Sequence, residues 1–243
     1  MFSTEHAIVL LSARGWQTDL GKFLVKKVKV SIIGSGIVGQ ATGIGLALNG
    51  NEVLFHDIDK KKLQDLEEKG YQTTDSLIEA VTASELVFVA VPTPTVDNKI
   101  VLDIVQDCTK NIGKTLWKTW KYVDIVYRST IPPGTTRTKL VPALESYSGL
   151  KAGKDFGVCM NPEFLREKSP LEDFLHPSRM VIGEYDERSG NALTGVYSQF
   201  RGPIIRTTLD SAEMIVYLKP VPGIKDILLQ RNLHCMQETR HRL

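Results

Sequence analysis

Three glycines, Gly34, Gly36 and Gly39, follow a short apolar run in the pattern Gly-x-Gly-x-x-Gly. The run 28–33 is typical of a buried strand, and the residues after Gly36 have the spacing of a helix. In such a strand–turn–helix unit, backbone N–H groups at the start of the helix can bind a dinucleotide pyrophosphate. Gly34 and Gly36 allow a tight turn and close backbone approach, and Gly39 lets the helix pack near the strand. The pattern alone is weak, and the alternative is a purely structural glycine turn.

A carboxylate stands at the position that would select the dinucleotide. Asp57 follows a second predicted strand at residues 52–56 and lies 18 positions beyond Gly39. There it can accept hydrogen bonds from the ribose 2′-hydroxyl of adenosine, and it would repel the 2′-phosphate of NADP. NAD is therefore the expected cofactor. The alternative role for Asp57 is to cap the following lysine-rich helix, but Asp59 lies closer to the start of that helix.

Two further loops follow predicted strands and carry hydroxyl groups. Residues 86–91 lead into PTPT at 92–95, and residues 122–127 lead into RSTIPPGTT at 128–136. Because an open parallel sheet binds ligands beyond the carboxyl ends of its strands, both loops are candidate parts of the site. Thr135 or Thr136 could cap the next helix. Both loops could also be ordinary turns.

A third loop, NPEFLREK at 161–168, follows a predicted strand at 156–159. Glu163 and Glu167 are four positions apart and would share one face if the segment is helical. Near a bound nicotinamide, such carboxylates could orient or activate a water molecule. The alternative is a solvated turn of mixed charge.

The elements that must position these residues alternate between strand and helix. We predict strands at 28–33, 52–56, 86–91, 122–127, 156–159, 180–182 and 203–205, and helices at 38–49, 60–69, 75–83, 100–111, 135–145 and 186–200. Near-continuous apolar strands separated by helices predict an α/β fold of the Rossmann type, doubly wound, with a mostly parallel sheet covered on both faces. Asn49-Gly50-Asn51 is expected to end the first helix, with a residue at positive φ.

Composition limits the partners. The formal net charge is only +2, so neither nucleic acid nor a membrane surface is an expected partner. The basic aromatic run KTLWKTWK at 114–121 could be a nucleic-acid surface. A solvated loop whose tryptophans pack on the rim of the sheet is the favoured interpretation, because no wider basic field surrounds the run.

The three cysteines, Cys108, Cys159 and Cys235, have neither CxxC spacing nor a histidine cluster beside them. We therefore expect no metal site and no disulfide framework, and a reducing cytoplasm fits best. The apolar run 7–11 is too short to span a bilayer and lacks the basic segment of a signal peptide.

Six motifs in order make the chain recognisable. GSGIVG, HDID, VPTPT, RSTIPPGT, NPEFLREKSPLEDFLHPSRMVIG and DSAEM span residues 27–214. Together they resemble the NAD-dependent nucleotide-sugar 6-dehydrogenases, the UDP-glucose and GDP-mannose dehydrogenases. The wording FLREKSPLEDFLHPSR looks more like the UDP-glucose branch.

The resemblance implies a two-step oxidation: UDP-glucose, two NAD and water give UDP-glucuronate and two NADH. It places NAD on the glycine turn and implies a homo-oligomer. It also implies cofactor contacts at Val38, Asp57, Lys62, Thr93, Thr130 and Glu167, water positioning or activation at Thr130, Glu163 and Glu167, and a sugar-nucleotide pocket along Glu163, Phe164, Leu165, Arg166 and Glu167.

The chain departs from the family pattern near its end. Val216 stands where the family has a lysine, and Pro220 where it has an asparagine, and prolines at 220 and 222 would break the helix. None of the three cysteines has the family's G-x-C-x-x-K-D surroundings, although a cysteine must trap the aldehyde as a thiohemiacetal for the second oxidation. We expect an extension at 1–27, an NAD-binding domain at 28–207, and at 208–243 the start of a dimerisation helix followed by a divergent tail.

Three functional hypotheses remain. The first is the NAD-binding part of a nucleotide-sugar 6-dehydrogenase, truncated or frame-altered and inactive for the full reaction alone. The second is a non-catalytic NAD-binding or assembly module derived from that family. The third, a 3-hydroxyacid-type dehydrogenase, conflicts with the NPEFLRE segment. In the first case apolar surface should be exposed on the helix predicted at 210–218.

Overall fold

The computed structural model describes residues 27–119 and 121–217 of the 243-residue chain. Its strands are β1 (Lys29–Ile33), β2 (Glu52–His56), β3 (Gln72–Thr74), β4 (Leu86–Val89), β5 (Thr95–Val96), β6 (Lys99–Ile100), β7 (Asp124–Tyr127), β8 (Gly157–Met160), β9 (Met180–Glu184) and β10 (Ile204–Thr208). Its helices are α1 (Ile37–Leu48), α2 (Lys60–Glu67), α3 (Leu77–Ala83), α4 (Asp103–Leu116), α5 (Val141–Ser148, preceded by a π-helical turn at Thr136–Leu140), α6 (Pro170–Leu175), α7 (Glu187–Tyr197) and α8 (Leu209–Tyr217).

Eight strands form one sheet in the order β10-β9-β8-β7-β4-β1-β2-β3. The pairs from β3 across to β8 are parallel, β8 and β9 are antiparallel, and β9 and β10 are again parallel. The chain runs from β1 outward to β3 and then returns to β4 on the other side of β1. This reversal makes the carboxyl ends of β1 and β4 the topological switch point, where open sheets bind ligands.

Two apolar clusters cover the two faces of the sheet. Along β4, Val87 and Val89 belong to the cluster that α3, α4, α5 and α8 complete, while Leu86 and Phe88 belong to the cluster under α1, α2, α6 and α7. Successive side chains of a strand point to opposite faces, so a strand buried on both sides reads as a continuous apolar run. The α/β fold with a mostly parallel, doubly covered sheet is confirmed.

Most predicted elements are found, with ends that differ by one to a few residues. Gly50 has a φ of +87°, as the end of α1 requires. β3, α6 and the small β5–β6 hairpin were not predicted from the sequence. Asp97 and Asn98 form the turn of that hairpin at φ of 49° and 58°.

Two possibilities and one favoured interpretation from the sequence are not found in the structure. Residues 161–166 form a loop without regular secondary structure, so the condition under which Glu163 and Glu167 would share a helical face is not met. Neither Thr135 nor Thr136 caps the following helix with its side chain. Trp117 does not pack on the sheet rim, because 61% of it is exposed; Trp120 lies outside the described residues.

Within the described ranges, none of the helices combines the length and the apolar character needed to cross a bilayer.

Candidate functional site

The glycine turn joins β1 to α1 at the switch point. Gly34 has a φ of +94°, and a Cβ atom there would lie 2.8 Å from the carbonyl carbon of Ala90. At Gly39, a Cβ atom would overlap the carbonyl oxygen of Gly34. At Gly36, by contrast, a Cβ atom would meet nothing within 4 Å. Gly34 and Gly39 are therefore required by packing, whereas Gly36 leaves open space in front of the helix start.

No side chain caps the N-terminus of α1, which begins after Gly36 and has no acidic residue in its first turn. The first N–H groups of a helix lack intrahelical partners and carry a partial positive charge. With the open space at Gly36, this end of α1 can bind a phosphate group.

Asp57 is fixed by two backbone donors. Its Oδ2 accepts a hydrogen bond from the Ser35 backbone N–H at 2.7 Å, and its Oδ1 accepts one from the Asp59 N–H at 2.9 Å. Lys62 Nζ lies 3.5 Å from Oδ2. The N-cap of α2 is Asp59, whose Oδ1 accepts from the Lys61 N–H at 3.0 Å. Asp57 is thus held beside the glycine turn and is not needed as the cap.

Side-chain hydrogen bonds hold the two hydroxyl-bearing loops together. The Thr93 hydroxyl donates to the Thr130 carbonyl at 2.7 Å, and the Ser129 hydroxyl donates to the Val91 carbonyl at 2.6 Å. The loops after β4 and β7 therefore form one rim of the switch point.

A cleft of about 930 Å³ lies along this edge of the sheet. Predicted site residues line it: Gly34, Gly36, Val38, Asp57, Lys62, Thr93, Thr130 and Glu163. Its volume is in the upper part of the range for small-molecule and cofactor sites, about 300–1,000 Å³. Gly39 lies behind the turn in the packing between α1 and β1.

The cleft also has apolar walls that were not predicted from the sequence. Ile37, Ile58 and Ile104 line it and are 62%, 94% and 43% exposed, respectively. Large apolar side chains left open to solvent within a concave site are suited to flat ring systems. An isoleucine directly after Asp57 was a signal that could have been read, whereas Ile104 comes from α4, far away in sequence.

The NPEFLRE segment divides between two places. Glu163 lines the main cleft and, with Phe164, Leu165 and Arg166, a second cavity of about 250 Å³. Its Oε2 accepts from the Leu165 backbone N–H at 2.6 Å. Arg166 forms an ion pair with Asp173 at 2.6 Å. Glu167 lies in an exposed turn and lines neither cavity.

Residues 28–76 and 66–201 match the family described as the UDP-glucose/GDP-mannose dehydrogenase family, NAD binding domain. The chain belongs to this family. GDP-mannose 6-dehydrogenase of Pseudomonas syringae pv. syringae is 37% identical over 211 residues, which cover 78% of this chain and 48% of that protein. UDP-glucose 6-dehydrogenase TuaD of Bacillus subtilis is 34% identical over 210 residues, covering 78% and 44%.

A solved structure agrees with these relatives. The ternary complex of GDP-mannose dehydrogenase from Pseudomonas aeruginosa has a TM-score of 0.72 and 34% identity, over 77% of this chain and 48% of that one. The chain therefore spans about half the length of the relatives it matches. The family and its cofactor NAD are confirmed. The preference for the UDP-glucose branch is not, since the GDP-mannose enzyme is at least as similar.

As a member of this family, the chain offers an NAD site whose features fit the cofactor. The open space at Gly36, the uncapped start of α1 and the fixed carboxylate of Asp57 suit pyrophosphate and ribose, and the isoleucines suit the rings.

The described cysteines are not activated as nucleophiles. Cys108 lines the NAD cleft, but burial raises the pKa of its thiol to about 12. Burial also raises the pKa of Cys159, which lies within the sheet. Because the thiolate is the reactive form, neither is suited to form a thiohemiacetal. Cys235 lies outside the described residues.

A carboxylate distant in sequence holds the loop that carries Thr130. Glu213 of α8 is fully buried and accepts from the backbone N–H groups of Gly134 at 2.5 Å and Thr136 at 2.7 Å. Burial raises the pKa of Glu213, against the lowering effect of these hydrogen bonds. Glu213 thus takes the capping role that the sequence allowed for Thr135 or Thr136.

Proposed function

We propose that this chain is the NAD-binding half of a nucleotide-sugar 6-dehydrogenase. The observation that carries the proposal is the cleft at the switch point, which joins the glycine turn and Asp57 to Thr130 and Glu163. When bound, NAD supplies the hydride acceptor. The chain's own residues bind its pyrophosphate at α1 and its ribose at Asp57, with Val38, Lys62 and Thr93 beside them.

In this proposal Thr130 and Glu163 hold a water molecule and move its proton. A hydroxyl and a carboxylate suit this task, because one can donate while the other accepts. Both residues line the NAD cleft, and Glu163 is anchored by its bond to the Leu165 N–H. Phe164, Leu165 and Arg166 would contact the sugar nucleotide. The role proposed for Glu167 rests on the family resemblance alone, since this side chain lines neither cavity.

The substrate is proposed as a nucleotide sugar, with UDP-glucose and GDP-mannose as the candidates. The division expected from the sequence has an NAD-binding domain at 28–207 that leads into a helix beginning an oligomer interface. Met214 and Tyr217 of α8 are 46% and 42% exposed, which fits a surface for further polypeptide or a second copy. Val216, at the family's lysine position, is half-buried; positions 220 and 222 lie outside the described residues.

The state of the described cysteines favours a second candidate, a non-catalytic NAD-binding or assembly module. Neither Cys108 nor Cys159 is held as a thiolate, so the described residues lack an activated thiol for the second oxidation. The two candidates share the NAD site and differ in turnover.

A binding and turnover experiment tests both. We expect calorimetric titration of the full chain to show that NAD binds and NADP binds at least tenfold more weakly, because Asp57 repels the 2′-phosphate. NADH absorbance is then followed with UDP-glucose and, separately, with GDP-mannose. A single slow oxidation agrees with the NAD-binding half only. The absence of any NADH formation agrees with either candidate. Absence of NAD binding would contradict both, and sustained NADH formation would show that the chain completes the reaction by itself.

A further inference from the structure

The second cavity, of about 250 Å³, is lined by two arginines, Arg128 and Arg179, that the proposed function leaves unused. It lies between the loop 161–166, the segment 176–180 and the side chains of Arg128, Phe174 and Tyr197. It shares Arg128 and Glu163 with the NAD cleft.

Arg128 is a buried cation with neutral neighbours. Only 5% of it is exposed, and its Nη1 donates to Asn161 Oδ1 and, at 3.2 Å, to the Tyr197 hydroxyl. Its guanidinium lies over the ring of Phe174, 5.3 Å from the centroid. Its Nε is buried without a hydrogen-bond partner, and no carboxylate of the described residues forms an ion pair with it. A buried charge of this kind normally has a partner of opposite charge.

Arg179, which also lines the cavity, has a similar arrangement. Its guanidinium stacks on Phe164, 4.7 Å from the ring centroid, and its Nε is also buried without a partner. Stacking fixes the plane of a guanidinium while leaving the N–H groups at its edge for a ligand.

The charges around the cavity leave it positive. Arg166 is neutralised by its ion pair with Asp173, so Arg128 and Arg179 stand against one remaining carboxylate, Glu163. That carboxylate already accepts a hydrogen bond from the Leu165 N–H. His176, which also lines the cavity, lies 3.4 Å from Glu172.

We propose that this cavity is an oxyanion site in which Arg128 and Arg179 bind one phosphate group. A planar fork of N–H donors matches the oxygens of phosphate, and both guanidinium groups line this cavity. The volume of about 250 Å³ suits a single phosphate group and lies below the range for whole cofactors. The site is separate from the pyrophosphate position at the glycine turn and does not rest on the proposed function.

The site has a structural consequence for the loop 161–166, which contributes to both cavities. At the start of this loop, Asn161 Oδ1 accepts hydrogen bonds from Arg128 Nη1 and the Tyr197 hydroxyl. Asn161 Nδ2 donates to the Val181 carbonyl at 2.8 Å. An anion bound to Arg128 and Arg179 would link the segment 176–180 to Arg128 and, through Asn161, to the loop that carries Glu163.

Titration of the full chain with inorganic phosphate tests the site, in saturating NAD so that the glycine turn is occupied. We expect a dissociation constant of about 1–10 mM at low ionic strength. Arg179→Gln should weaken binding at least tenfold, and Arg179→Lys should give an intermediate value, because lysine keeps the charge but not the fork. Arg179 is half-buried, so these variants disturb the core less than changes at Arg128.

Lys154→Gln is the matched control. Lys154 is exposed in the turn before β8, and Asn161 follows the other end of that strand. The substitution therefore removes one positive charge, as Arg179→Gln does, but away from the cavity. Phosphate affinity equal to that of the unchanged chain is expected. Failure of phosphate to bind at tens of millimolar, or an Arg179→Gln affinity equal to that of Lys154→Gln, would overturn the proposal.

Competition then identifies where the phosphate group comes from. If UDP-glucose or GDP-mannose displaces inorganic phosphate in proportion to its own binding, the site holds a phosphate of the nucleotide sugar. If the nucleotide sugar binds without displacing it, the site takes a separate phosphate. Either result, with the Arg179→Gln loss, supports an oxyanion site, and the first would also support the proposed substrate class.

Discussion

At the scale of single residues, Gly34 and Gly36 differ in the space that an added Cβ atom would find. We predict that Gly36→Ala changes the free energy of unfolding by no more than about 0.5 kcal/mol, because a Cβ atom there meets nothing within 4 Å. The same methyl group occupies the space in which a pyrophosphate must approach the backbone, so NAD affinity should fall at least tenfold. Urea unfolding and calorimetric titration measure the two effects.

Gly34→Ala is the contrasting variant. Its Cβ atom would lie 2.8 Å from the Ala90 carbonyl at a φ of +94°, so we expect a loss of about 2 kcal/mol or more in stability. Equal stability of the two variants, or an unchanged NAD affinity in Gly36→Ala, would contradict this account of the turn.

Asp124 should make stability depend on pH. It is buried at the start of β7, its Oδ1 lacks a partner, and burial raises its pKa from 3.8 to about 7; nearby Asp186 adds to the rise and Arg188 opposes it. Between about pH 4 and 7 the folded state therefore holds a proton that the unfolded state has lost, so this contribution to stability decreases as pH rises through that window.

We predict that Asp124→Asn raises the free energy of unfolding at pH 8 by about 2 kcal/mol and changes it little near pH 4. Urea unfolding at both pH values gives the comparison. Asp65→Asn, in an exposed position of α2, should leave the pH dependence as it is. If stability decreased with pH in Asp124→Asn as much as in the unchanged chain, the pH dependence would come from groups other than Asp124.

The roles of residues could be predicted from the sequence where those roles depend on residues nearby in the sequence. Gly34, Gly36 and Asp57 act through backbone that lies within one strand–turn–helix–strand unit. The Arg128–Asn161–Tyr197 network joins positions separated by 33 and 36 residues, and no local pattern marks it. The apolar cleft wall at Ile104 was missed for the same reason.

At the scale of elements, length and polarity decided what could be predicted. The strands that are buried on both faces read as apolar runs, and β2 matches its predicted bounds. The missed β3 has only three residues, Gln72–Thr74, all polar, and α6 has six. Both are held by packing and pairing at the sheet's flanks, which periodicity in sequence does not record.

The start of the helix after β7 depends on α8. Glu213 accepts from two N–H groups that the π-helical turn and its preceding loop leave open. We predict that Glu213→Gln costs about 2 kcal/mol, since the amide keeps one acceptor oxygen and places its NH₂ group against a buried N–H donor. Hydrogen exchange should speed up selectively across residues 134–140.

Asp210→Asn is the control on the same helix. Asp210 is partly exposed and pairs with Arg137 at 2.9 Å on the surface, so its loss should cost less than about 1 kcal/mol and leave exchange at 134–140 unchanged. If Glu213→Gln behaved like Asp210→Asn in both measurements, Glu213 would not be the cap.

At the scale of the whole molecule, α8 completes the core of the NAD-binding domain. Leu209, Ala212 and Ile215 are buried in the cluster that α4 and α5 also cover, and Glu213 caps the helix after β7. Burial of a leucine or isoleucine side chain is worth about 1.5–3 kcal/mol, and a domain of this kind is stable by only about 5–15 kcal/mol. A domain that ended at residue 207 would lack these buried side chains and would therefore lose a large part of its free energy of unfolding.

We predict that a fragment of residues 28–217 unfolds cooperatively and binds NAD as tightly as the full chain, because the cleft-lining residues that the structure describes all lie within it. The fragment 28–207 should lose about 5 kcal/mol and be largely unfolded, with NAD restoring only part of the stability by mass action. A 28–217 fragment carrying Met214→Ser is the control that keeps the buried side chains of α8 and loses an exposed one. Because Met214 is exposed, this substitution should cost little stability. Thermal unfolding by circular dichroism, with and without NAD, distinguishes the three. Equal stability of 28–207 and 28–217 would place the boundary at 207 and separate α8 from the core of the NAD-binding domain.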